Sequence, residues 1–298
     1  MNDAKHAYLI LAHCRPRQLR TLISLLDDPR NDIYIHLDRK APFGAKALEG
    51  CCVHSQVHFI EPRISVHWGG VSIMRAELAL LKAAVPGHYA FYHLLSGQDL
   101  PIKRQEEMFA FFDAHPDREF LNYWEFKSHT LNRVHYFTVF PEGAGFFLTN
   151  LINVTVKGIL MALGVRINED VDFHMASQWF SITHPCAEYV LAQESWLEKV
   201  FRHTNTPDEL FLATVIWNSP FRERLYDATK HVQNVDIHNS SNMHFIDWTR
   251  GSSVRHPWTF RKGDEELLDS VPQFWARKFD ERIDADIIDH VRKRVKGE

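Results

Sequence analysis

Apolar positions in the first hundred residues switch repeatedly between a strand pattern and a helical one. His6 to Ala12 (HAYLILA) is a compact apolar run whose continuous stretch, Ala7 to Ala12, is too short to cross a bilayer and predicts a buried first strand. Arg17 to Leu26 spaces its leucines helically and stops at Asp27-Asp28-Pro29. Asp32 to Leu37 (DIYIHL) is β-branched and aromatic, ends in Asp38-Arg39-Lys40, and Val57 to Ile60 makes a third short strand. After Gly69-Gly70, Ser72 to Val85 has a helical apolar period, and Tyr89 to Leu95 is a strand closed by Ser96-Gly97-Gln98-Asp99. Such alternation predicts an α/β fold with a mostly parallel central sheet flanked by helices. Ligands of such sheets sit beyond the carboxyl ends of the strands, so the turns at His13-Cys14-Arg15, Asp38-Arg39-Lys40 and Gln98-Asp99 become candidates for one site.

The second half is less regular. Gly145 to Val165 is strongly apolar but carries Asn150, Asn153 and Lys157, which makes a membrane-spanning helix a poor reading. The favoured expectation is a buried helix; the alternative is a surface segment resting on a bilayer. Asp284 to Val295 predicts a C-terminal amphipathic helix with a basic end.

Composition narrows the classes. The 298 residues are 45% hydrophobic and 24% charged, with no run that reads as a linker, so one domain over 1–298 is expected. Its nucleotide-binding half would span about 1–105 and its acceptor-binding and catalytic half 106–298. A net charge of −4 argues against a nucleic-acid partner. The 19 histidines are scattered without HExxH or zinc spacing, so no metal is expected, and neither GxGxxG nor a P-loop occurs. Cys14, Cys51, Cys52 and Cys186 form no CxxC pair, which favours free thiols and a cytoplasmic protein, with contact to the inner membrane the peripheral alternative.

Thr206-Pro207-Asp208-Glu209 opens the apolar run LFLATVIW, with Thr206 fitting an N-cap. The local pattern alone favours a helix-dipole role for the acids; a carboxylate on a rigid start among apolar residues also suits a general base. Arg255 and Lys278 lie at turns or strand ends, where paired cations can neutralise a leaving diphosphate or simply face solvent. Trp248 and Trp179 sit beside polar residues, as indoles that stack on sugar rings do, although core packing is the commoner fate of a tryptophan. Asp170-Val171-Asp172 is a literal DxD, but it lies far past the strand that should carry a metal-nucleotide clamp, and Asp99 has no second acid two residues away.

Seven segments together resemble one family: AYLILAH, IYIHLDRK, HLLSGQDLPIK, SQWFSIT, TPDELFLAT, HFIDWTRG and WARKFD, spread over residues 7 to 280. In this order they resemble the core-2/I-branching β-1,6-N-acetylglucosaminyltransferases and their relatives, the protein xylosyltransferases. The resemblance implies a GT-A-type (Rossmann-like) fold, a UDP-sugar donor (UDP-GlcNAc or UDP-xylose), inversion at the anomeric carbon and no metal cofactor. It implies Glu209 as catalytic base, Arg255 and Lys278 as diphosphate-binding cations, His13 and Asp38 beside the nucleotide, and Trp248 against the acceptor. Two departures stand out. The N-terminal anchor and many disulfides of the animal enzymes have no counterpart here, so the chain reads as a minimal bacterial member. Arg250 stands where the core-2 enzymes have an aromatic acceptor contact, which argues against a mucin-type acceptor. A glycan or lipid-linked acceptor and a role in surface polysaccharide synthesis are expected, with a metal-dependent nucleotide-sugar enzyme or a non-catalytic glycan-binding module as the other classes.

Overall fold

A computed structural model describes residues 4–126, 128–142, 147–232, 239–250 and 256–298. The chain opens with β1 (His6–Ala12), α1 (Pro16–Leu25), β2 (Asn31–Leu37), β3 (Gln56–Phe59), α2 (Val71–Ala84) and β4 (Phe91–Ser96). It continues through β5 (Asp99–Pro101), α3 (Gln105–Asp113), β6 (Phe120–Trp124), α4 (Ser128–Leu131), α5 (Phe147–Ala162) and β7 (Met175–Thr183). The last part comprises α6 (His184–Ala192), α7 (Glu194–Phe201), α8 (Phe211–Trp217), β8 (His244–Ile246), α9 (Glu265–Ser270), β9 (Trp275–Arg277) and α10 (Asp286–Lys296).

The main sheet has the order β3-β2-β1-β4-β7-β6. Strands β3, β2, β1 and β4 run parallel, and β7 runs antiparallel to both β4 and β6. This is the α/β layout with a mostly parallel central sheet that the strand-helix alternation predicts. Successive side chains of β1 point to opposite faces. Ala7 and Leu9 join a core with α2, α6 and α8, while Tyr8, Ile10 and Ala12 join a second with α1, α3 and α10. Burial on both faces explains why β1 reads as one continuous apolar run rather than an alternating one.

A second, three-stranded sheet, β5-β9-β8, continues from the end of β4. Asp99 opposes Arg277 across β5 and β9. The sequence reads Asp99 as part of an open polar turn, but its side chain is fully buried. Its carboxylate accepts from Arg277 Nη1 at 2.8 Å and from the Ser96 amide at 2.7 Å, and His244 Nε2 lies 3.5 Å away. Burial pushes the Asp99 carboxyl upward, and Arg277 and the Ser96 amide draw it back down.

The largest departure concerns α5. The composition favours a buried helix, yet none of its residues is buried. The side that meets the protein carries a polar contact: Asn153 Oδ1 accepts from the Phe140 amide at 2.9 Å, and its Nδ2 donates to the Phe140 carbonyl at 3.0 Å. Phe147, Leu148, Leu151, Val154 and Ile159 project into solvent, while Ile152, Val156 and Leu160 are half-buried. No helix among the described residues is long and apolar enough to cross a membrane.

Replacing Arg277 with methionine strands a fully buried carboxylate. Arg277→Met is expected to destabilise the protein by about 3–5 kcal/mol at neutral pH. The deficit should shrink as pH falls and Asp99 becomes neutral, because a raised carboxyl pKa costs stability only above the unfolded value. Urea denaturation of both proteins across the acidic range measures this.

Candidate active site

A cavity of about 460 Å³ opens beyond the carboxyl ends of β1, β2 and β4, where the sheet rule predicts it. His13 follows β1, Asp38 follows β2 and Ser96 ends β4; all three line it. The Asp38 amide donates to the Ala12 carbonyl at 2.8 Å, which extends the parallel register just far enough to bring its carboxylate beside His13. Lys40 approaches that carboxylate with its amide at 2.7 Å and its ammonium at 3.8 Å. Desolvation holds the His13 imidazole below its ordinary value, helped by Arg277, Lys278 and Arg15 and opposed by Asp38. His13 and Asp38 thus line one cavity, and Lys278 lies near enough to His13 for its charge to act on the imidazole.

Cations form one edge of this cavity. Arg277 lines it, anchored by Asp99 and lying 4.7 Å over the Trp179 ring. Lys278 follows directly, with desolvation and the Arg277 charge lowering its ammonium's pKa. Neighbouring Asp280 is engaged elsewhere, by Arg15 Nε and Nη2 at 2.7 and 2.6 Å. Among the described residues no carboxylate lies within ion-pair distance of the Lys278 ammonium, so its charge is available to an anion. Arg255, the other expected diphosphate ligand, lies outside the described residues.

An acid lines the cavity as well. Thr206 does not cap a helix with its side chain, as the sequence predicts; it adopts a left-handed conformation, with φ of 56°, and Pro207–Glu209 form one 3₁₀ turn before α8. The turn is pinned by the Thr206 amide donating to the Gly69 carbonyl at 2.7 Å. Gly69 is itself left-handed, with φ of 71°, and a side chain on Gly70 would strike Glu142, which binds the Ser72 amide at the start of α2. Asp208 lines the cavity; Glu209 is half-buried beside it and accepts from Arg133 Nη1 at 2.8 Å. Burial raises the Glu209 carboxyl above its usual range while Arg133 opposes that rise. Asp208 is pushed up to about 7 by burial and by the adjacent Glu209. Behind them Glu77 is fully buried, is raised by desolvation and by Asp208, and accepts from Gln178 at 2.7 Å.

Other expected residues fall elsewhere. Trp248 is half-buried and lines a separate small pocket with Asn122, Ser177 and His244. Asp170 and Asp172 border a third cavity beside Tyr189 and Trp196, and Asp172 pairs with His174 at 3.0 Å. The DxD therefore does not reach the cavity of His13 and Asp38. Asp99 is closed off by its own partners. The sequence reading missed Arg277, Arg133 and Trp68. Trp68, 79% exposed, lines the same cavity; an indole ahead of Gly69-Gly70 was a usable signal for it, because a glycine turn gives a large side chain little core to enter.

A sequence profile of the Core-2/I-Branching enzyme family matches residues 6–271. The chain belongs to that family. It is 28% identical to "Xylosyltransferase 2" of Rattus norvegicus over 298 residues, covering 95% of this chain and 33% of the relative. It is 26% identical to "Xylosyltransferase oxt" of Drosophila melanogaster, covering 95% of this chain and 32% of that protein. The chain thus spans about a third of the length of these curated relatives. Among solved structures, mouse Xyloside xylosyltransferase 1 aligns over 91% of this chain and 96% of its own, with a TM-score of 0.37 and 12% identity.

The buried acids of this Core-2/I-Branching enzyme have a measurable signature. Between the ordinary aspartate value and about 7, the folded chain holds a proton on Asp208 that the unfolded chain has released. Stability should therefore fall as pH rises through that interval and level off above it. Asp208→Asn removes this component, so its urea midpoints at about pH 5 and about pH 8 should differ less than those of the unmodified protein.

Proposed function

We propose that the protein is an inverting, metal-independent glycosyltransferase that moves xylose or GlcNAc from a UDP-sugar to a hydroxyl of a glycan or lipid-linked acceptor. The observation that carries this reading is a single cavity lined by His13, Asp38, Arg277 and Asp208, with Lys278 near His13 and Glu209 next to Asp208. Its place at the ends of β1 and β2 suits a nucleotide, with Asp38 and His13 against the nucleoside. The diphosphate then lies toward Lys278, with Arg277 beside it and Arg255 as a second cation. The similarity to xylosyltransferases makes UDP-xylose the first donor to assay.

The reaction is one in-line displacement. Glu209 takes the proton of the acceptor hydroxyl, whose oxygen bonds to the anomeric carbon. The bond from that carbon to the diphosphate breaks, and its electron pair leaves with UDP, where Lys278 and Arg255 meet the growing negative charge. Arg133 keeps Glu209 ionised in a site that otherwise favours the neutral acid. Attack from the face opposite the leaving group gives inversion. The cations do what a divalent metal does in other nucleotide-sugar enzymes.

Glu209→Gln should reduce turnover by about 10²-fold or more while UDP still binds by calorimetry. Near-normal turnover would remove Glu209 from the mechanism. Lys278→Ala should instead weaken UDP binding by about tenfold or more, the usual worth of a charge-assisted contact. Activity should persist in excess EDTA, and a strict need for Mn²⁺ would overturn charge neutralisation by cations.

A further inference from the structure

The exposed face of α5 has a use that the transfer reaction does not explain. Phe147, Leu148, Val154 and Leu163 are 85%, 65%, 61% and 70% exposed, and Leu151 and Ile159 project with them. Sixteen helical residues extend about 24 Å, so this is a long apolar ridge. Soluble surfaces rarely leave such a patch uncovered. From Phe147 to Asn168 the sequence contains no carboxylate, and its charged residues are Lys157 and Arg166. Within α5 the one charged side chain is Lys157, at the border of the ridge, and the acids Glu169 and Asp170 begin beyond the turn that ends the helix. An apolar ridge bordered by a cation is the pattern of a helix that lies in the plane of a membrane interface. A second copy of the chain would bring two such cationic edges together, whereas an anionic headgroup layer meets them with opposite charge.

The position of α5 adds a functional reason. Lys157 is near enough to Arg133 for the two cations to repel, and Arg133 holds Glu209. The ridge therefore adjoins the side of the cavity that Asp208 lines. We propose that α5 docks the protein onto an anionic lipid surface, with Glu209 facing an acceptor carried in that layer. The docking stands on the helix alone; the service to a lipid-borne acceptor rests on the transferase reading above.

The test is co-sedimentation with vesicles of phosphatidylcholine alone or mixed equally with phosphatidylglycerol. The unmodified protein should sediment with the anionic vesicles and far less with the neutral ones. The double variant Leu151→Glu/Val154→Glu alters only outward-facing side chains, and should lose about tenfold or more of this binding. UDP binding, followed in the same samples, should be unchanged and shows that the cavity is intact. Failure of the unmodified protein to sediment, or equal sedimentation of the variant, overturns the proposal. So does light scattering that shows a dimer which the double variant splits. A protein that sediments but ignores UDP leaves the docking standing and faults the transferase reading instead.

Discussion

The buried carboxylate of Asp99 is the constraint on which the geometry of the site depends. It sits where β4 gives way to β5, and it fixes Arg277 on β9, more than a hundred and fifty residues later in the chain. A charge taken fully out of water must be paired, and removing one partner of such a pair is far costlier than never having built it. The pair ties β5 to β9 within the second sheet, and the Ser96 amide binds the same carboxylate to the end of β4 in the first. Arg277, so held, lies over Trp179 in the cavity wall, and Lys278 follows it at the same edge. The cationic side of the active site is a consequence of how two sheets are joined.

The acidic side depends on a different contact. The Pro207–Glu209 turn is docked onto the Gly69-Gly70 turn through the Thr206 amide, so the start of α2 and the start of α8 are set against each other. Glu77 of α2 and Asp208 are then buried near one another and near Glu209, and like charges in a poorly solvated place cannot all ionise. Arg133 favours the ionised form at Glu209 in particular. Burial thus favours the neutral form of all three acids, and Arg133 opposes that at Glu209.

Particular elements show how far the sequence was legible. The bounds of β1 match its apolar run residue for residue, and α1, β2 and α2 shift by only a residue or so, because burial on both faces of a sheet or one face of a helix leaves a period in the sequence. Thr206 stands at the N-cap position ahead of Pro207 that Thr-Pro-Asp-Glu predicts, but its side chain makes no capping bond; its amide binds the Gly69 carbonyl and its backbone is left-handed. Helix α5 was misread. Apolar content says that a face avoids water, but not whether protein or something else covers it.

By itself the sequence determined the α/β alternation and the places where polar residues follow strands, since both are written in local periodicity. The order of its short motifs also carried the family membership. Only the tertiary structure decided which of the polar residues meet. It set His13, Asp38 and Arg277 around one cavity with Lys278 near His13, removed Asp170 and Asp172 to another, turned Trp248 toward a third, and closed Asp99 inside an ion pair. The reason is physical. Burial of a strand is a property of neighbouring residues, whereas the charge and solvation of a side chain depend on partners brought from more than a hundred positions away.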